Sequence, residues 1–484
     1  MKKILRRWAW AFLLLWATAA MAHVGSPDVY YEGDAGPYHL LVTVRPPAVI
    51  PGVARVEMRA TSGTVKGIQV VPVYVTGKDQ GFPPAPDVMQ AVPGDPQSFT
   101  GKVWLMASGS WEVRAEVEGA QGKGSLGVPV AAFARRTLPM QKALGGLLFA
   151  LMIFLAVGIV SIAWAAAREG SLQPGVAPET GNIRKGRIAL IVATILVLGI
   201  LFLGNSWWNS EASSQKQDML YKAPPLAASL ENGQRLVLQM GKSHWHERRK
   251  DAWSMKLIPD HGHLMHLFLL RVPAMDRFYH LHPEQQPDGG FAVDLPSIDA
   301  GHYKIFADVV RETGFPDTMV AEMDLPHLAG RPITGDDSDV SAAEFDATKS
   351  TTSSPLAEGG SMVWERDPSP ATIGKLTWFR FKVEDKDGKP VKDLEPYMGM
   401  AGHAVFVRSD ESVFAHIHPA GSVPMAALAV VQKDGGTKHD MAMAMSAEVS
   451  FPYGFPEAGD YRLFVQVKRG GKVETGVFDT RVGN

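Results

Sequence analysis

The chain has 484 residues, of which 46% are hydrophobic and 20% are charged, and its formal net charge is -2. A chain of this length predicts roughly three or four folded units. The near-neutral charge balance argues against a nucleic-acid-binding protein, which needs a basic surface. The sequence contains no cysteine, and this excludes disulfides, thiolate metal sites and cysteine nucleophiles. Histidine, methionine and carboxylate side chains are therefore the groups available to bind a metal.

Residues 1–22 have the pattern of a signal peptide. A basic start at residues 1–7 is followed by an apolar run at residues 8–16 and by a small-x-small motif at residues 20–22. Cleavage after this motif would make His23 the mature N-terminus. An uncleaved signal anchor is the alternative, although the apolar run is short for a spanning helix. We therefore expect the chain to be exported.

Residues 23–135 predict a small β-sandwich, because β-branched and alternating runs are separated by Pro/Gly turns. Within this domain, residues 42–47 and 109–117 resemble the YtkA-like family of small exported β-sandwiches. That resemblance implies a sandwich fold here, and members of the family are often tied to copper delivery. The usual Met/His-rich central segment of the family is missing, since residues 72–89 supply almost no ligands.

Two uncharged runs, at residues 143–166 and 188–208, are each long enough to cross a bilayer as a helix. The intervening segment, residues 167–187, carries an excess of basic residues, which places it in the cytoplasm. The flanking domains would then face the periplasm from a bacterial inner membrane. Neither run carries a charge, so we expect an anchor rather than an ion path.

The second half of the chain is duplicated. After a polar linker at residues 209–228, the segments 229–330 and 361–484 are copies, separated by an acidic Ser/Thr-rich linker at residues 331–360. Both copies have strand-like alternation. The expected fold is therefore mainly β, with three immunoglobulin-like β-sandwich domains and two transmembrane α-helices.

Three histidines recur at equal positions in the two copies, and two of them form a His-x-His-Pro motif. Side chains alternate along a strand, so the two histidines of His-x-His share one face, and a neighbouring strand can add the third. Three imidazoles from adjacent strands suit copper, or alternatively zinc. The open alternative is that each triplet is only a packed, hydrogen-bonded turn. The candidate metal ligands are His266, His280 and His282 in the first copy and His403, His416 and His418 in the second.

Residues just ahead of the triplets add further candidates. His261 and His263 in the first copy fall opposite Met398 and Met400 in the second. Imidazole suits Cu(II) and zinc, whereas a thioether sulfur favours Cu(I), so the copies could prefer different oxidation states of copper. The alternative is that these methionines only fill the core.

Histidines outside the repeat are mixed candidates. His23 could chelate copper through its amine and its ring, with Asp28 or His39 as a further donor. His302 and the two histidines of residues 244–246 have no equivalents in the second copy, and we expect them to lie at the surface. A Met-rich stretch at residues 439–445 could capture Cu(I).

The sequence predicts a protein that holds or passes a metal rather than an enzyme. The two copies resemble His-x-His-Pro segments of exported heavy-metal-binding proteins. No Ser/His/Asp pattern or phosphate loop is present. The expected partners are the inner membrane and a copper-handling protein, with no nucleic acid. The alternatives are a scaffold that binds protein or glycan, and a metalloenzyme with three-histidine zinc, for which the repeat offers no general base.

Overall fold

The computed structural model describes residues 27–75, 83–247, 256–366, 370–432 and 445–484. The predicted signal peptide, His23 and most of the Met-rich stretch lie outside these residues. Contacts divide the chain into two compact units, Met1–Phe133 with Lys222–Asn484, and Ala134–Tyr221. The prediction of a mainly β protein with antiparallel sheets and two long apolar helices is confirmed. Its immunoglobulin-like connectivity stays a prediction.

The first domain consists of two antiparallel sheets with strand orders β1-β2-β3-β7-β6 and β5-β4-β8-β9. Burial follows the expected period of two, because Ala54, Val56 and Met58 are buried on β3 while Arg55 and Arg59 are exposed. The strands are β1 Val29–Ala35, β2 Tyr38–Arg45, β3 Gly52–Ser62, β4 Val65–Tyr74, β5 Asp87–Val88, β6 Gln90–Val92, β7 Asp95–Leu105, β8 Gly109–Gly119 and β9 Gly122–Ala132.

The second unit contains two helices, α1 (Lys142–Glu169) and α2 (Thr180–Met219). Their most apolar windows have mean hydropathies of 2.7 and 2.6, and both helices are long and apolar enough to cross a membrane. Large side chains such as Phe154 and Leu203 are exposed along them. Helix α2 continues past residue 208 into the segment that was predicted to be a linker.

The two copies have matching sheets. In the first copy the larger sheet has the order β12-β17-β13-β14-β19, and in the second it has the order β23-β27-β24-β25. A further strand pairs with the long central strand in each copy, β18 with β17 and β28 with β27. The duplication in the sequence is therefore a duplication of the fold.

The elements of the first copy are β10 Leu226–Glu231, β11 Arg235–Met240, α3 His244–Glu247, β12 Leu257–Ile258, β13 His266–Arg271, β14 Arg277–Leu281, β15 Glu284–Gln285, β16 Phe291–Asp294, β17 Gly301–Arg311, β18 Pro316–Leu325 and β19 Ser338–Ser341. Those of the second are β20 Ser353–Pro355, β21 Ser361–Glu365, β22 Thr377–Glu384, β23 Leu394–Glu395, β24 His403–Arg408, β25 Phe414–Ile417, α4 Met425–Val431, β26 Glu448–Tyr453, β27 Gly459–Arg469 and β28 Lys472–Val482. Strands β19 and β20 lie within residues 331–360, so the segment predicted as a linker contributes a strand to the larger sheet of the first copy and a strand to the smaller sheet of the second.

The larger sheets of the two copies pack face to face. Leu267 and Leu269 of β13 point into the core of the first copy, whereas Phe268 lies in a separate apolar cluster that includes residues of both copies. In this cluster Phe278 stacks on Phe464 and Phe306 stacks on Phe414, with ring centroids 4.1 and 4.2 Å apart. Strand β13 is thus apolar on both faces because both faces are buried.

Candidate metal centre

The repeated histidines lie at one end of this interface between the copies. His266 and His403 begin β13 and β24, so they share a face with the interface residues two positions further on. His280 lies on β14 and faces the interface, whereas its neighbour Leu281 points into the core of the first copy, as the alternation predicts. The face-to-face packing therefore brings imidazoles of both copies into one cluster.

A repeated tight turn places His261 and His263 in the same cluster. Two backbone hydrogen bonds join Asp260 and His263 across the turn, at 2.9 and 3.0 Å. Its two central residues have positive φ, 52° at His261 and 88° at Gly262, a region that favours glycine. The equivalent turn of the second copy spans Tyr397–Met400 and has similar positive φ values at its centre, 49° at Met398 and 80° at Gly399.

We call His266, His280 and His282 the first triad. One nitrogen from each ring lies within 4.8 Å of the other two. The other nitrogen of each ring faces an oxygen acceptor. These contacts are His266 Nε2 to the Asp260 carbonyl at 3.1 Å, His280 Nδ1 to Gln466 Oε1 at 2.9 Å and His282 Nδ1 to Asp337 Oδ1 at 2.9 Å.

These acceptors determine where the protons sit. A neutral imidazole has a single N–H, and placing it on the nitrogen that faces the oxygen satisfies all three of these contacts. The inward nitrogens of the first triad then present lone pairs to one another. His266 Nδ1 and His280 Nε2 are only 3.1 Å apart, and the buried His282 Nε2 has no hydrogen-bond partner among the described residues. Such an arrangement is repulsive when empty and is satisfied by a cation.

We call His261, His403 and His418 the second triad, whose nitrogens also lie within 4.8 Å of one another. His261 Nδ1 donates to the Met398 carbonyl at 3.0 Å, and His418 Nδ1 donates to the Val423 carbonyl at 3.1 Å. Their Nε2 atoms, and both nitrogens of His403, are buried without a hydrogen-bond partner in the described parts of the chain. The second triad therefore also offers three lone pairs.

The membership of the second triad differs from the sequence prediction. His261 from the first copy takes the position that was predicted for His416, because the turn that carries His261 reaches across the interface. The centroid of the His261 ring lies 5.0 Å from the centroids of the His403 and His418 rings. His416 lies beside both triads, with ring centroids 5.3 Å from His266 and 5.5 Å from His403.

The remaining candidates lie at the edge of the cluster or away from it. His263 stacks on His282 with ring centroids 3.9 Å apart. Met398 contacts the cluster through its carbonyl oxygen, and the copper(I) preference suggested for Met398 and Met400 stays a prediction. Met400 is buried.

The histidines outside the repeat differ from one another in exposure. The surface prediction is confirmed for His302, which pairs with Asp324, but it is wrong for His246, which is 3% exposed. His39 lies between Glu32 and Asp34, at 3.1 and 2.5 Å.

Burial keeps the triads neutral. Desolvation, followed by neighbouring histidines, holds the pKa of His266, His280, His403 and His418 well below the usual value. Desolvation also lowers the pKa of His282, although the Asp337 carboxylate opposes it. Neutral imidazole is the form that binds a metal, so the rings are in their ligating state at neutral pH.

A cleft of about 120 Å³ leads to the cluster. It is bounded by strands of both copies and is lined by both imidazoles and carboxylates. Among its lining residues are Asp260, His263, His266, Asp308, His416 and His418. The triads are therefore buried but border a cavity that an ion could enter.

One family model matches part of the chain. The family described as "Domain of unknown function (DUF8832)" matches residues 358–484, which correspond to the second copy. No characterised protein of similar sequence matches the chain.

Among solved structures, the chain is similar to a bacterial ice-binding adhesin involved in host cell surface retention, with 6% identity, a TM-score of 0.16, and coverage of 93% of this chain and 97% of that one. It is similar to Salmonella alpha-2-macroglobulin with 10% identity and a TM-score of 0.21, covering 94% of this chain and 24% of that one. A putative membrane anchored protein from Corynebacterium diphtheriae has 7% identity and a TM-score of 0.15, with coverage of 94% and 96%. Similarities at this level carry no argument about function.

Proposed function

We propose that this protein is a membrane-anchored metal-binding protein that holds or delivers copper on the periplasmic side of a bacterial inner membrane. The observation that carries the proposal is the orientation of the two triads. Each brings three imidazole nitrogens together, and in five of the six rings, all except His403, the other nitrogen donates to an oxygen that holds the ring in place. Metal-binding histidines are typically oriented by such outer contacts.

The ligand set favours copper, with zinc as the alternative metal. Neutral imidazoles suit both ions, whereas magnesium and calcium prefer oxygen ligands. Nitrogen sites generally bind Cu(II) more tightly than Zn(II). Bond lengths of about 2.0–2.1 Å to zinc hold two ligand nitrogens at most about 4.2 Å apart, so the triad nitrogens, which lie within 4.8 Å of one another, must move closer together when they bind an ion.

The anchoring rests on α1 and α2, which are apolar enough to span a bilayer. The positive-inside rule supports a cytoplasmic position for residues 167–187 and a periplasmic position for the sheets. The absence of cysteine makes this orientation easy to test. Ser171→Cys and Ser350→Cys each add one thiol at an exposed position. A membrane-impermeant maleimide should label Ser350→Cys in spheroplasts and label Ser171→Cys only after lysis, and the reverse pattern would exclude this orientation.

Metal titration tests the binding function directly. The full chain in detergent, stripped with a chelator, should bind two copper ions, one for each triad. The double variant His282→Ala/His418→Ala should bind neither ion tightly, because each triad loses a nitrogen. His302→Ala, which removes an exposed histidine paired with Asp324, should still bind two. If the unaltered chain binds no copper or zinc, the metal proposal fails and a periplasmic scaffold for protein or glycan is the alternative.

A further inference from the structure

His416 and Asp308 form a polar pair that belongs to neither triad. His416 lies on β25 of the second copy and Asp308 on β17 of the first, with His416 Nδ1 3.4 Å from Asp308 Oδ2. The side chain of His416 is 7% exposed. Its Nε2 atom and Asp308 Oδ1 are both buried without a hydrogen-bond partner among the described residues. The pair therefore presents one nitrogen and one oxygen that no described protein group satisfies.

The two copies differ at this point. In the first copy Asp308 pairs with His266 across the strands, and in the second Gln466 pairs with His403 in the same register. Gln466 is a neutral amide that orients His280 at 2.9 Å. Asp308 faces His416, the equivalent of His280, with a carboxylate, which can itself bind a cation. At equivalent positions, the second copy thus has an amide that orients a histidine, whereas the first copy has a charged group that can bind a cation.

The pair also lines the cleft beside one member of each triad, His266 of the first and His418 of the second. Asp308 and His416 both line the cleft. The ring centroid of His416 is 5.3 Å from that of His266 in the first triad and 4.7 Å from that of His418 in the second. Carboxylates in a cleft raise the local concentration of cations. An ion held at His416 can therefore exchange ligands with either triad without returning to water.

We propose that His416 and Asp308 form a transfer site that passes a metal cation between the cleft and the two triads. This inference rests on the proposed metal-binding function. The transfer is a stepwise ligand exchange in which His416 Nε2 and a carboxylate oxygen of Asp308 bind the ion and then release it to triad nitrogens. No electron or covalent bond is transferred. The transfer site should consequently control how fast ions enter and leave, but not how many are bound at equilibrium.

The test measures loading and extraction rates with Cu(II) alone. Asp308→Asn and His416→Gln are each made in the full chain in detergent, and thermal unfolding confirms that both variants are folded. Copper loading and extraction by excess chelator should both slow, by a factor that we set at about ten or more, the lower end of the effect of metal-site contacts on affinity or activity, because the ion loses the ligands through which it exchanges. Two ions should still bind at equilibrium. Asp324→Asn and His302→Gln, which alter the exposed His302–Asp324 pair, are the matched controls and should leave both rates unchanged.

Three results would distinguish a failure of the transfer site from a failure of the proposed metal-binding function. If the unaltered chain binds two ions but both variants load and release them at the normal rate, the transfer site is wrong and the metal-binding function stands. If His416→Gln binds one ion, His416 is a permanent ligand and the transfer role is likewise wrong. If the unaltered chain binds no ion, the proposed function itself fails.

Discussion

Asp337 is the outer partner of the first triad, and replacing it tests how the triad is oriented. Its Oδ1 accepts hydrogen bonds from His282 Nδ1 at 2.9 Å and from the His282 backbone N–H at 3.0 Å, and its other oxygen pairs with Arg331. Burial raises the pKa of Asp337, but the hydrogen bonds from His282 and Arg331 outweigh burial and leave the pKa below its usual value. The side chain is therefore an anion that fixes the proton of His282 on Nδ1 and the lone pair on Nε2.

Asp337→Asn keeps the shape of this side chain and removes its charge. Loss of such an outer contact typically weakens metal binding by about 10–100-fold, which corresponds to about 1.4–2.7 kcal/mol. The second triad has no contact with Asp337 among its hydrogen bonds, so its affinity should not change. Calorimetric titration of the metal-free full chain with Cu(II) should then resolve one weakened site and one unchanged site.

The chain offers a matched control for this variant. Asp324 accepts from His302 Nδ1 at the same distance, 2.9 Å, but this pair is exposed and lies outside both triads. Asp324→Asn should leave both affinities unchanged. Equal weakening of the two sites by Asp337→Asn, or no weakening of either, would refute the assignment of Asp337 as the support of the first triad alone.

Three further predictions follow from named contacts. His261→Ala should reduce the bound copper from two ions to one, whereas His263→Ala should keep both, because His261 but not His263 contributes to a triad. Metal analysis of the purified variants tests this prediction, and two ions bound to His261→Ala would contradict it. Phe464→Ala should lower the free energy of unfolding by about 3–5 kcal/mol, since this ring is fully buried against Phe278 of the other copy. A loss below about 1 kcal/mol in urea unfolding would show that the copies do not share a core. The hydrogen bond to Glu32 raises the pKa of His39 to about 9, opposed by desolvation and aided by Asp34. Protonated His39 therefore stabilises the fold fully below the unfolded pKa of about 6.5, and this stabilisation is lost as the pH rises through about 9. His39→Gln should accordingly lower the melting temperature at pH 6 and leave it unchanged at pH 10, and an equal loss at both values would contradict the ion pair.

Several features could be predicted from residue order because they depend on local periodicity. Alternation along β3 and β13 places successive side chains on opposite faces, and the repeated His-x-His-Pro motif therefore placed His280 and Leu281 on different sides of their strand. The long uncharged runs of α1 and α2 likewise require only composition and length to be recognised. Duplication distinguished the recurring histidines from His302, which has no equivalent.

Tertiary packing decided which histidines meet. Residues 267–270 of β13 are all apolar. This pattern shows that both faces of the strand are buried, but not what covers the second face. The answer is the other copy, whose Phe414 and Phe464 stack on Phe306 and Phe278. Only this packing brings the turn at His261 to His403 and His418 and leaves His416 opposite Asp308. Contacts between segments more than 100 residues apart leave no local period in the sequence, so the membership of the second triad could be read only from the fold.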